Sequence, residues 1–216
     1  KINFIKNYKY FGLGALYNIV STRILKMGTG GEGKTMGLAP YGKKFKNYGL
    51  KFPYFNKGIV NDFSKFMQRM PYSDVLNQIN PNYRMDPINI PYKKIKNKKD
   101  VLKPYFAGTA YNLQDTLEKV IINISQDLYN HTKSENLCIA GGVGLNSVAN
   151  KKILDKTKFK NIFIFPACSD SGIPFGLAIW GYYNLKELNV KKHKKVIFKN
   201  AYLGNEYSNK NIKKIL

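Results

Sequence analysis

The chain has few of the features that mark secreted, zinc-binding or membrane-spanning proteins. Its only two cysteines, Cys138 and Cys168, support no disulfide framework and lack the C-x-x-C spacing of zinc sites. No apolar run approaches the ~20 residues of a membrane-spanning helix, and residues 1–3 lack the pattern of a secretory signal. We therefore expect a cytoplasmic protein without a membrane span.

Arginine is also scarce. The chain has 36 Lys and Arg against 13 Asp and Glu, a net charge of +23, yet only Arg23, Arg69 and Arg84 are arginines. Arginine is the better bidentate ligand of phosphates and base edges, and the lysines are spread along the chain. Two lysine clusters, at 92–99 and 191–195, are more typical of solvated loops than of a nucleic-acid surface. We therefore do not expect a nucleic-acid partner.

Two consecutive strand–turn–helix units predict an α/β fold. Residues 137–150 (LCIAGGVGLNSVAN) have the pattern of a short buried strand, a glycine turn and a helix. The pattern returns with a strand at 162–165, a turn at 166–172 and an apolar helix at 173–188. Glycines let the backbone approach a phosphate, and helix N-termini favour anions. The two turns together predict a nucleotide site.

The rest of the chain gives a coarser pattern. A helix is predicted over 11–26 and a longer one over 109–131, where an apolar stripe from Ala110 to Leu128 is opposed by polar residues. The polar residues expected on the other face are Gln114, Asp115, Glu118 and Lys119. Region 43–104 is irregular, with short helices expected near 62–69 and 72–78.

Four segments resemble signatures of one family, the NodU/CmcH-type O-carbamoyltransferases. Residues 31–42 (GEGKTMGLAPYG) resemble its G-E-x-K-x-M-G-L-A-x-Y-G, and residues 140–150 resemble its A-G-G-V-A-L-N-x-x-A-N. The turn at 166–172 is similar to its P-A-x-x-D-x-G, and residues 202–208 to its Y-L-G-P-x-Y-S. The four matches occur in the family's order and cover most of the chain outside 43–104.

The resemblance implies a ribonuclease H-like lobe of the ASKHA (actin-like ATPase) fold. In that family two such α/β lobes enclose a nucleotide, and a YrdC-like α/β domain follows. Residues 1–188 would be the C-terminal part of the ASKHA-type domain, residues 189–195 a lysine-rich linker, and residues 196–216 the start of the YrdC-like domain. The partners of this chain would then include an N-terminal lobe and the remaining YrdC-like domain of the same protein.

The resemblance also implies an activity. Family members use carbamoyl phosphate and ATP to make a carbamoyl adenylate. They then pass the carbamoyl group to a hydroxyl of a small-molecule acceptor such as a sugar, with a divalent metal, iron in relatives, at the transfer site. Region 43–104 would line an acceptor pocket or pack as an insertion. Two alternatives stay open: a transferase that makes threonylcarbamoyladenosine in tRNA, and a basic nucleic-acid-binding module without catalysis.

Asp170 and Lys34 are the candidate catalytic residues. The resemblance implies that Asp170 is a metal ligand, a role that suits a carboxylate after a strand. The alternative is that Asp170 caps the helix beginning near Ile173. Lys34 is expected to neutralise a phosphate or the adenylate linkage. The alternative is that this lysine has no role and stands here by chance, because the chain contains so many lysines.

The candidate nucleotide-binding residues are Glu32, Gly141, Gly142, Asn146 and Gly172. The glycines would allow close backbone approach, or serve only tight strand–helix packing. We expect Asn146, one turn into its helix, to reach ribose or phosphate. Glu32 would contact the ribose, orient Lys34 or cap a helix.

The chain lacks the His-x-x-x-His pair that the family uses for its metal. His131 and His193 are far apart in sequence and form no such pair. Either the histidine ligands lie upstream of Lys1, or this chain lacks a complete metal site. Cys168 has no neighbouring base to activate it and is predicted to be a small buried side chain.

Overall fold

The computed structural model describes residues 3–5, 12–52, 95–185, 194–198, 200–201 and 204–216. The helices expected near 62–69 and 72–78 lie outside these residues, as do His193 and most of the linker at 189–195. The described part is mixed α/β, mostly helical with a small parallel sheet, which agrees with the predicted class. No helix in this part has the length and hydropathy that crossing a membrane requires.

The helices and strands follow one another in a simple order. Short 3-10 turns lie at Lys98–Leu102, Gly142–Leu145 and Asp170–Gly172, and a π-helical turn, Val20–Ile24, follows α1. The main elements are α1 (Leu13–Ile19), α2 (Glu32–Leu38) with a 3-10 continuation at Ala39–Phe45, α3 (Pro104–Thr132), β1 (Asn136–Ile139), α4 (Ser147–Lys156), β2 (Asn161–Ile164), α5 (Ile173–Asn184) and α6 (Asn209–Ile215).

The core is built around α3. This helix begins at Pro104 and not at Thr109, because proline is favoured in a first helical turn and Lys103 before it is extended. The apolar stripe that the sequence predicts is buried from Ala110 to Val120, where it packs against α1 and the π-helical turn, and it is half-buried from Ile121 to Leu128. The most buried apolar residues of this cluster are Leu13, Leu16, Val20, Ile24, Leu25, Phe106, Ala110, Leu113, Leu117, Val120 and Ala149.

The prediction for the polar face of α3 is wrong at Gln114 and Glu118. Both side chains are only 5% exposed. The reason is that α3 is covered on more than one side, by α1 and α2 and also by α4. Polar residues on the second covered face are tolerated because they find hydrogen-bond partners there.

The two strand–turn–helix units form a parallel β1–α4–β2 arrangement. Asn136 pairs with Asn161 and Ile139 with Ile164. The strand expected to be buried is only partly so: Leu137 is buried and Cys138 is exposed. Successive side chains of a strand point to opposite faces of the sheet, and the face that carries Cys138 and its partner Phe163 is exposed.

The turns after the two strands are joined by the backbone. The N–H of Gly141 donates to the carbonyl of Cys168 at 2.7 Å. Gly141 has a φ of 102°, a conformation that side chains disfavour. The glycine turn does not lead directly into α4, because the 3-10 turn Gly142–Leu145 lies between them.

Helix α5 leaves much of its apolar surface exposed. It confirms the predicted apolar helix from Ile173 as far as Asn184, where the helix ends. Leu177 is 63% exposed, and Trp180, the only tryptophan of the chain, is 60% exposed.

Glycines allow the segment after α2 to lie directly against α3. The segment continues past the end of α2 as a 3-10 helix with Pro40 in its first turn. A Cβ on Gly42 would lie 1.8 Å from the carbonyl oxygen of Ala107, and one on Gly108 would lie 2.2 Å from that of Phe45. The backbone of the 3-10 segment is therefore in direct contact with the backbone of α3 at these glycines.

We expect Gly42→Ala to destabilise the fold by about 1–3 kcal/mol, because the methyl group would force α3 away from the 3-10 segment. The matched control is Gly37→Ala in α2, where an added Cβ meets nothing within 4 Å. The control should be neutral or stabilising by about 0.5–1 kcal/mol. Urea unfolding followed by circular dichroism measures both, and equal stabilities would contradict the packing described.

Candidate functional site

A cavity of about 580 Å³ lies between α1, α2 and the turns that follow the two strands. This volume is within the range of small-molecule sites, about 300–1,000 Å³. We call it the central pocket. It is lined by Gly14, Tyr17, Gly30, Glu32, Gly33, Met36, Leu117, Gly142, Val143, Leu145, Asn146 and Ser169.

The central pocket brings together three segments that are distant in sequence. Glu32 comes from the glycine-dense segment, Gly142 and Asn146 come from the turn after β1, and Ser169 comes from the turn after β2. Three of the candidate nucleotide residues therefore share one cavity. Gly142 has room for a side chain, since an added Cβ would meet only the Cβ of Ser169, at 4.0 Å.

Glu32 lies in the first turn of α2 at the edge of the pocket. Its Oε1 accepts a hydrogen bond from Asn18 Nδ2. It makes no ion pair with Lys34 in the described part, and its helix is preceded by Gly31 with no side-chain cap. Of the three expected roles, contact with a ligand is the one that this geometry leaves open.

Lys34 does not line the central pocket. Its Nζ donates to the backbone carbonyl of Met27 at 3.2 Å, and the side chain is exposed. Its expected role toward a phosphate stays a prediction.

Asn146 is the N-cap of α4 and not a residue one turn into the helix, which corrects the expectation. Its Oδ1 accepts from the N–H of Ala149 at 3.0 Å. An N-cap asparagine satisfies a helix donor that would otherwise lack a partner. Because this bond fixes Oδ1, the Nδ2 group of Asn146 must face the other way.

Behind the pocket wall, Gln114 connects Asn146 to Tyr17. Gln114 Oε1 accepts from Tyr17 Oη at 2.8 Å and from Asn146 Nδ2 at 2.9 Å. Gln114 Nε2 donates to Glu118 Oε1 at 2.8 Å and to Asn146 Oδ1 at 3.1 Å. Lys152 pairs with the second oxygen of Glu118. We call these five side chains the amide network.

The surroundings of Tyr17 keep its phenol protonated. Burial raises the pKa of Tyr17 well above its usual value, and the charge of Glu118 raises it further. A hydrogen bond from Asn146 lowers the pKa by a smaller amount. Tyr17 is therefore a neutral hydrogen-bond donor to Gln114 at physiological pH.

The other predicted glycines and Asp170 line a second cavity of about 490 Å³. Its walls include four phenylalanines. The rings of Phe165 and Phe175 stack at 4.5 Å, and Phe198 packs edge-on against both. We call it the phenylalanine pocket. It contains Gly141, Asp170 and Gly172, and it shares Ser169 with the central pocket.

Asp170 is an exposed carboxylate at the first position of a 3-10 turn. It makes no hydrogen bond or ion pair to any described residue, and α5 is preceded by Gly172 with no side-chain cap. The helix-cap alternative is therefore not observed. Among the described residues, no group of three His, Cys, Asp or Glu could hold a metal. The carboxylate of Asp170 can supply one metal ligand, and the described residues do not form a complete metal centre.

Gly172 has a packing reason for being glycine. A Cβ at this position would lie 2.1 Å from the carbonyl oxygen of Ala167 in its own turn.

His131 lies at the end of α3, where its Nδ1 is 2.8 Å from the carbonyl oxygen of Asp127. Cys168 is buried, as predicted.

Sequence reasoning missed Tyr17, Gln114 and Glu118. Tyr17 is one of several apolar or aromatic residues in a helical pattern, and nothing local distinguishes it. Gln114 and Glu118 are four residues apart, each directly after a buried leucine. Polar residues placed directly beside the apolar stripe of α3 are the one signal in the sequence that a second face of the helix is covered.

A family model described as "Carbamoyltransferase N-terminus" matches residues 2–179. The uncharacterized protein sll1178 of Synechocystis is 32% identical over 207 residues, which are 94% of this chain and 32% of that protein. Nodulation protein NolO of Bradyrhizobium diazoefficiens is 27% identical over 88% of this chain and 32% of its own length. Nodulation protein NolNO of Sinorhizobium fredii is 27% identical over 77% and 22%. The chain spans about a third or less of these relatives.

We expect Asn146→Ala to destabilise the protein by about 2–4 kcal/mol, since it removes the cap of α4 and two of the hydrogen bonds of the Gln114 amide. Asn146→Ser keeps a capping oxygen but is too short to reach Gln114, so it should cost less. The difference between the two variants, measured by urea unfolding, isolates the cap. Stabilities within about 0.5 kcal/mol of the unmodified protein would contradict both roles.

Proposed function

Because this chain belongs to the carbamoyltransferase family, as the match over residues 2–179 shows, we propose that it forms part of an O-carbamoyltransferase that binds ATP in the central pocket. One observation carries the proposal: the segments at 30–36, at 142–146 and at Ser169, which resemble separate family signatures, line one cavity of about 580 Å³.

The lining of the central pocket suits the nucleoside part of ATP. Met36, Leu117 and Val143 offer apolar surface to a base. The second carboxylate oxygen of Glu32 is available to accept from ribose hydroxyls. The described residues that line the cavity include no lysine or arginine, so inside the pocket the phosphates would be bound by the backbone of the glycine turn.

The proposed reaction is carbamoyl transfer from a carbamoyl adenylate, made from ATP and carbamoyl phosphate, to a hydroxyl of a small-molecule acceptor. The acceptor oxygen forms a bond to the carbamoyl carbon, and the bond from that carbon to the adenylate oxygen breaks. AMP leaves, and the hydroxyl loses its proton. Lys34, beside the pocket-lining Gly33 in sequence, is proposed to offset the charge of the phosphate.

We place these residues in an ASKHA-type lobe. The parallel β1–α4–β2 unit with helices packed beside it supports this assignment. Residues 1–188 would form the lobe and residues 196–216 the start of a YrdC-like domain, with the other lobe supplied by the same protein. A cytoplasmic location fits these substrates.

Asp170 is proposed as one ligand of a divalent metal, iron by family resemblance. The other ligands would come from residues that the structure does not describe. The metal would polarise the carbamoyl carbonyl. The exposed carboxylate, which has no partner among the described residues, supports this role, as does its place next to the wall shared by the two cavities.

We expect Gly142→Val to weaken ATP binding by at least about tenfold, because the new side chain occupies space beside Ser169 in the pocket. The control is Gly204→Val, at a glycine with nothing within 4 Å of its added Cβ and away from the pocket. Isothermal titration calorimetry on the full-length protein measures both. Unchanged affinity in Gly142→Val would contradict the site. RNA binding that falls steeply with salt, without ATP binding, would favour the nucleic-acid alternative.

We expect Asp170→Asn to lower the metal content of the full-length protein by at least about tenfold, because the amide oxygen carries no charge. ATP affinity measured in the presence of a chelator should not change, since Asp170 lies outside the central pocket. Elemental analysis of the purified protein measures the metal, with Asp155→Asn on the exposed side of α4 as control. Equal metal in both variants would rule out Asp170 as a ligand.

A further inference from the structure

We propose that Gln114 is a positioning residue that sets the walls of the central pocket through Tyr17 and Asn146, an inference that rests on the proposed ATP site. Gln114 does not itself line the pocket, whereas Tyr17 and Asn146 do. Tyr17 belongs to α1 and Asn146 precedes α4. One side chain on α3 therefore holds two parts of the wall that come from different elements.

The orientation of the Gln114 amide is fixed by chemistry at both ends. The carboxylate of Glu118 can only accept, so the group facing it must be Nε2. The Oδ1 atom of Asn146 is fixed by the N–H of Ala149, so Asn146 presents Nδ2 to the Oε1 of Gln114. Both requirements select the same orientation, and no rotated amide satisfies either.

All the hydrogen-bonding positions of Gln114 are in use. Two donors and two acceptor positions meet Glu118, Asn146 and Tyr17. An apolar replacement would leave Tyr17 and Asn146 without these partners while both remain buried. Buried polar groups that lose a partner move to find another, and here that movement changes the pocket wall.

A carboxyl group in place of the amide makes this role depend on pH. When ionised, it cannot donate to Glu118 or to Asn146. The charged or titratable groups around it are Glu118 on α3, Lys152 on α4, Tyr17 on α1 and Glu32 on α2. Burial and the nearby carboxylates raise the pKa of such a group above its usual value. When the pH falls below that pKa, the protonated acid again donates one hydrogen bond and accepts others.

The test compares ATP affinity at pH 8 and at pH 5.5 in the full-length protein, by calorimetry. Gln114→Glu should weaken binding about tenfold at pH 8 and recover most of it at pH 5.5. Gln114→Leu should weaken binding about tenfold at both values. The control is Gln126→Glu on the same helix, where the glutamine donates to Asn130 Oδ1. The ATP affinity of this control should equal that of the unmodified protein at each pH. Comparing all variants with the unmodified protein at the same pH removes the effect of the protonation of ATP itself.

Each outcome decides a separate question. If the unmodified protein does not bind ATP, the proposed function fails. If it binds ATP and both Gln114 variants bind equally well at both pH values, the positioning role is overturned. A general loss of packing would lower the free energy of unfolding together with the affinity, so urea unfolding of each variant is measured at both pH values. Weakened ATP binding at a pH where the variant is fully folded supports positioning.

A second measurement covers the case in which the Gln114 variants do not fold. Tyr17→Phe removes one hydrogen bond to Gln114 and Asn146→Ser removes two, without changing Gln114 itself. If Gln114 couples the two walls, the effects of the single variants on ATP affinity should not add in the double variant. Additive effects would overturn the proposal.

Discussion

The walls of the central pocket depend on one buried amide whose hydrogen bonds are all made inside the protein. Gln114 sits on the helix around which the core is built, and it joins the first helix to the cap of α4. Because Glu118 and Lys152 complete the network on its other side, the polar groups are compensated while buried. The apolar core brings the three helices together, and the amide network sets their register at the pocket.

Much of the fold can be predicted from periodicity and turn residues. The long helix, both strands and the apolar helix after the second turn are found where the sequence predicts them, with shifted ends. What could not be predicted is which faces of α3 are covered, since this depends on α4, which packs against it from later in the chain. Gln114 and Glu118 look like solvated residues when α3 is considered alone, and they are core residues only in its tertiary context.

Only part of the candidate site could be predicted from the sequence, for a similar reason. The sequence indicates which turns carry site residues, but it does not show which side of a turn each residue faces. Ser169 and Asp170 are adjacent, yet Ser169 lines both cavities and Asp170 lines only the phenylalanine pocket. Gly141 and Gly142 are divided in the same way between the two cavities. Each of these turns therefore contributes residues to both cavities, and the local sequence pattern does not show which residue lines which cavity.

The exposure of Trp180 decides which spectroscopic signals can follow folding. This residue is the only tryptophan and stands on the open face of α5, away from the core around α3. Its indole already contacts water in the folded chain, so its fluorescence changes little when that core melts. The same exposure makes its emission sensitive to anything that covers α5. Tryptophan fluorescence of this 216-residue chain therefore reports association at α5, whereas loss of the fold has to be followed through the helices.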